Sequence, residues 1–110
     1  MFTKTYDKYL WTMHSRDKMR HYCLTESRVL RIIRHPARIE EGILEDAVAC
    51  MQPAGGKTYS EIWVMYMLIK SNIKGQNSKA KIITAWRYPG KSSARDPIPA
   101  EVLREIRNIL

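Results

Sequence analysis

An α+β fold is predicted for this chain by three features of its sequence. Apolar stripes at helical spacing stand near both ends, with Val29, Leu30, Ile32 and Ile33 early and Val102, Leu103, Ile106, Ile109 and Leu110 late. Strand-like runs fill the middle, and residues 60–69 are apolar on both faces, as a central strand must be. Turn signals are short, above all Pro53-Ala54-Gly55-Gly56-Lys57, so successive strands are expected to pair as an antiparallel sheet of three or four. Two N-terminal helices, that sheet and a C-terminal helix make one domain over residues 1–110, a length too small for a second core.

Each element follows from its residues. Residues 6–13 carry Tyr9, Leu10, Trp11 and Met13, and read as a short extended segment at a sheet edge. Thr12 is placed to cap a helix over 14–22, too short to stand alone and therefore docked through Met19 and Tyr22. Thr25 caps a second helix, with Glu26 in its first turn. Arg28, Arg31 and Arg34 share the face opposite its apolar stripe, and His35-Pro36 ends it, because a residue before proline avoids the α region.

Residues 37–41 and 46–52 read as strands separated by Gly42. After the central strand, 71–78 reads as a polar loop and 81–88 as the last strand. Regular alternation places Ile82, Thr84, Trp86 and Tyr88 on one face of it, and Ile83, Ala85 and Arg87 on the other. Pro99 suits the first turn of the terminal helix. Met13, Met51, Met65 and Met67 are expected in the core, and Cys23 and Cys50 as free thiols packed like small apolar residues.

Composition narrows the function. A hydrophobic share of 45% argues against disorder. No apolar run reaches the ~18 residues of a membrane span, and residues 1–8 lack the apolar core of a signal peptide, so a cytoplasmic protein is expected. The net charge of +8 favours a polyanionic partner, nucleic acid foremost; the alternative is charge carried for solubility alone. There is no G-x-G-x-x-G or P-loop pattern. His21 and Cys23 do not have zinc spacing, and no cofactor or metal is expected.

The segment from Met13 to Glu26 concentrates two histidines, two arginines and a lysine. His14 and Lys18 are four residues apart on a helix, hence on one face, and Tyr22 returns to it a turn later. Metal-independent RNA cleavage needs a base, an acid and a cation against the phosphoryl oxygens. Histidine serves either proton role. The alternative reading of the same residues is a solvated helix face with structural histidines.

His14, Lys18-Met19, Tyr22, Leu24-Thr25-Glu26, Pro36 and Ile83-Thr84-Ala85-Trp86 together resemble small bacterial domains akin to RelE/ParE-type toxins and BrnT ribonuclease toxins. Lys18 stands where that pattern has its first arginine, and Tyr22 where it has its second. Lysine keeps the charge without the bidentate fork, and tyrosine loses the charge. The resemblance implies a helix pair packed on an antiparallel sheet, RNA binding extending to cleavage without a metal, and an antitoxin covering the basic face. Under it, His14 is the proton-transfer group, Lys18 the phosphate clamp, Tyr22 and Thr84 supporting donors, and Trp86 a base-stacking surface. Arg16, Arg20, Arg28, Arg31, Arg34 and Arg87 are the expected nucleic-acid contacts. The competing expectation is a non-catalytic module that binds nucleic acid or protein.

Overall fold

The computed structural model describes residues 9–41, 44–69 and 80–109. In chain order the elements are β1 (Tyr9–Trp11), α1 (Met13–His21), α2 (Glu26–Arg34), β2 (Arg38–Glu41), β3 (Ala47–Pro53), β4 (Ser60–Leu68), β5 (Ala80–Pro89) and α3 (Ala100–Ile109). The fold is α+β, with two N-terminal helices, a sheet and a C-terminal helix as expected. Residues 6–8, Gly42, the loop expected at 71–78, and Leu110 lie outside the described residues.

The sheet departs from expectation. It has five strands in the order β1-β5-β4-β3-β2. Three junctions are antiparallel, but β1 runs parallel to β5, pairing Tyr9 with Ala80 and Trp11 with Ile82. The sheet is therefore mixed. No turn joins the members of a parallel pair, so local punctuation does not reveal them. The first and last strands pair across the whole stretch of chain that carries α1, α2 and the other three strands.

Two apolar layers sandwich the sheet. On one face Val29 and Ile32 of α2 pack over Val48, Cys50, Ile62, Val64 and Ile82. On the other, Ile98, Val102 and Ile106 cover Ala49, Met51, Trp63, Met65, Ile83 and Trp86. Between them α1 lies along β5, giving Met19 to the first layer and Tyr22 to the second. No helix among the described residues is long and apolar enough to cross a membrane.

Strict alternation fails on β5. Met65 pairs with Thr84, yet Tyr66 pairs with Ile82, leaving Ile83 as an extra residue. This bulge turns Ile83 and Thr84 to the same side. Ile82 and Ala85 accordingly join the α2 layer, while Ile83 and Trp86 join the α3 layer. The Thr12 side chain serves both bulge and helix. Its Oγ1 donates to the Ile82 carbonyl at 2.8 Å and accepts from the Ser15 N–H at 3.0 Å as the N-cap of α1.

α1 stops in a Schellman arrangement. The Leu24 N–H donates to the Met19 carbonyl at 2.7 Å, and Cys23 between them sits at φ 57°. Cys23 is thus exposed rather than packed, because its position is a turn; Cys50 is buried as expected. Met13 is likewise no core residue: it opens α1 and is 80% exposed. Pro99 lies just ahead of α3, and its carbonyl accepts from the Val102 and Leu103 N–H groups.

The loop between β5 and α3 is fastened by a buried carboxylate. Glu61 is 1% exposed in the otherwise apolar run of β4. It accepts from the Ser92 hydroxyl at 2.5 Å, the Ser92 N–H at 3.2 Å, the Tyr59 hydroxyl at 2.8 Å and Trp63 Nε1 at 3.2 Å. Burial pushes its pKa up, but those donors outweigh burial and hold it below the usual carboxylate value. Arg38 reaches the same serine at 3.0 Å and lies over the Trp63 ring at 5.3 Å.

Candidate nucleic-acid interface

The helical spacing of His14 and Lys18 does bring their side chains together. Both turn toward Glu105 on α3. His14 Nε2 lies 3.7 Å from Glu105 Oε1, and Lys18 Nζ donates to Glu105 Oε2 at 3.2 Å. Beside them a cavity of about 190 Å³ opens among α1, β5 and α3, with Lys18, Tyr22, Trp86, Arg87, Glu101 and Glu105 among its lining residues. It forms there because β1 pairs with β5 only through Ile82, so the outer edge of β5 beyond that point faces helices instead of a strand.

The remaining expected residues divide sharply. Thr84 is 1% and Trp86 3% exposed, and the Trp86 ring stacks on Trp63 with centroids 5.7 Å apart. The ring expected to stack on bases therefore belongs to the core, and the Thr84 hydroxyl is shut away from any strand on the surface. Both faces of the sheet are covered, and the bulge places Thr84 and Trp86 under the α3 layer. Tyr22 is half-buried between that layer and the cavity. The reactive nitrogen of His14 is also sealed, and no hydrogen bond reaches it.

The arginines separate by whether a carboxylate meets them. Arg16 is ion-paired to Glu26 and Arg20 to Asp17. Among the described residues Arg28, Arg31, Arg34 and Arg87 have no such pair. Arg28 leans across to the β3–β4 turn, where its Nη2 donates to the Pro53 carbonyl at 3.0 Å. Burial, then the nearby Arg31, then Arg87, lower its pKa from the ordinary guanidinium value. Arg87 projects from β5 on the α2 side, with Nη1 3.4 Å from Ser60 Oγ. Further along α2, Arg31, Arg34 and His35 line a shallow depression with Ser27 and Leu30. A continuous basic face thus runs from the α2 groove across Arg28 to Arg87 and the cavity.

Glu105 and Glu61 are the residues that sequence reasoning missed. Glu105 acts on Lys18 across 87 positions, and no local spacing marks such a contact. Glu61 did carry a signal, as a charge between Ser60 and the apolar run Ile62-Trp63-Val64. A charge there must be paired or hydrogen-bonded once buried.

Among the described residues no group of three or more histidine, cysteine or acidic side chains is arranged to hold a metal ion. No protein-family model, curated protein or solved structure matches this chain.

Proposed function

We propose that this chain is an RNA-binding domain that grips the sugar–phosphate backbone with the arginine face of α2 and β5. The observation that carries the reading is the Arg28 guanidinium, its pKa lowered by burial and then by the charges of Arg31 and Arg87, with none of the three ion-paired to a carboxylate among the described residues. Like charges held together at a surface are relieved by a polyanion, and the overall charge of +8 acts in the same direction.

Kinship to RelE/ParE-type toxins is part of this proposal. Its support is that His14 and Met19 lie on α1, Thr25 caps α2 and Thr84 lies on β5, the elements to which the pattern assigns them. An acidic antitoxin would compete with RNA for the same arginines. Cleavage is not favoured by the resting arrangement. His14 Nε2 is shielded, Lys18 is engaged by Glu105, and Thr84 is buried, so no acid–base pair is presented to a strand.

Fluorescence anisotropy with a labelled single-stranded RNA 20-mer tests the reading. Affinity is expected to fall steeply with salt, with each lost phosphate contact reducing the log–log slope by about 0.7. The combined variant Arg28→Ala/Arg31→Ala/Arg87→Ala should bind weakly and show a flatter slope. Absence of RNA affinity in low salt overturns the proposal, and equal affinity for single-stranded DNA removes the preference for RNA.

A further inference from the structure

We propose that the cavity among α1, β5 and α3 is a seat for one phosphate group, and that the Glu105 carboxylate is its built-in occupant. The two oxygens of Glu105 are divided between two groups of α1, with His14 facing Oε1 at 3.7 Å and Lys18 holding Oε2 at 3.2 Å. Groups spaced to address two oxygens of a carboxylate are spaced to address two oxygens of a phosphate. The adjoining space of about 190 Å³ is ample for that group, and it brings in Arg87 as a second cation.

Trp86 also lines the cavity, but its Nε1 is sealed from it, so the indole supplies an apolar wall there and no donor. Carboxylate is the weaker rival for such a site because it carries one charge and two acceptor oxygens against the three or four oxygens of a phosphate. Glu105 is also free to leave: its side chain is 42% exposed, so rotation into solvent restores its hydration. Glu101, which also lines the cavity, opposes any anion there and weakens the pull of Lys18 and Arg87.

Arg87 belongs to both the cavity and the arginine face. A strand lying on that face therefore has a phosphate within reach of the seat. In naming RNA as the carrier of that phosphate, the inference rests on the RNA-binding reading; the seat itself does not. Occupation would move Glu105 away from His14 and Lys18 and so unmask the two groups that the resting arrangement covers.

The test uses Glu105→Gln, Lys18→Ala, their double variant, and Asp96→Asn as a charge-matched control on the exposed loop before α3. Inorganic phosphate is titrated while the His14 ring resonances are followed by NMR, and RNA affinity is measured in parallel. Glu105→Gln is expected to tighten phosphate binding roughly fivefold or more over the control, the low end of coupling between competing events. Lys18→Ala in the same chain should abolish the gain. Phosphate affinities equal in Glu105→Gln and Asp96→Asn, or a gain that survives Lys18→Ala, overturn the seat. A phosphate response that depends on Lys18, in protein that binds no RNA, upholds the seat and overturns the RNA reading.

Discussion

Glu61 shows how one residue can fasten a loop to a sheet. Its carboxylate collects four hydrogen bonds, two of them from Ser92. Replacing it with alanine strands the Trp63 and Ser92 donors in a buried place, so Glu61→Ala should cost about 3 kcal/mol in urea unfolding. The carboxyl is held below its ordinary pKa, so the folded state binds its proton more weakly than the unfolded chain does. Its stabilising contribution is complete above the ordinary carboxylate value and is lost as pH falls through the depressed one. Unfolding midpoints measured from pH 6 downward should therefore fall less steeply in Glu61→Gln than in the parent protein, which starts higher and converges toward it in acid.

At the scale of elements, the short helices depend on their ends. α1 and α2 have nine residues each, below the length at which a helix persists alone. Thr25→Ala removes a hydrogen bond to the Arg28 N–H and should cost about 1 kcal/mol. Thr12→Ala should cost more, about 2 kcal/mol, because the same hydroxyl also holds the Ile82 carbonyl at the bulge. Cys23, with φ 57°, occupies a position that suits glycine, so Cys23→Gly should raise stability by roughly 0.5–1 kcal/mol. Thermal unfolding of the three variants orders them, and a Thr12 variant no worse than the Thr25 variant would refute the double role.

These ends were also the most legible part of the sequence. Thr12, Thr25 and His35-Pro36 act through neighbours a few positions away, and the structure puts the helix boundaries beside them. The parallel β1–β5 pair was not legible, because nothing near Tyr9 refers to Ala80. The same limit governed the site. The i,i+4 relation of His14 and Lys18 is local and survives; the carboxylate that meets them lies at the other end of the chain. The surroundings of Thr84 and Trp86 were hidden for a different reason: helices cover both faces of β5, and one extra residue in the strand decides which of them lies over each side chain.

Across the whole molecule, the basic residues do not act as one pool. Those of α1 are largely answered by acidic partners: Arg16 by Glu26, Arg20 by Asp17, Lys18 by Glu105. The arginines of α2 and Arg87 of β5 have no such partner among the described residues, and neither have Arg104 and Arg107 of α3. Arg31→Ala should thus weaken RNA binding several-fold, about 1 kcal/mol, while Arg16→Ala should stay within about twofold. Anisotropy at a single low salt concentration separates them, and equal losses would mean that total charge alone governs the affinity.

The supernumerary Ile83 has a consequence for how the protein tolerates change. β5 is two half-strands set out of phase, with Ile83 as the spare residue between them. Excising that single position would bring the halves back into step with every other side chain still on its own face, whereas excising Ala85 would send Trp86 toward α2 and Arg87 beneath α3. Loss of Ile83 should therefore prove far less damaging than loss of Ala85, although each shortens the strand by one residue.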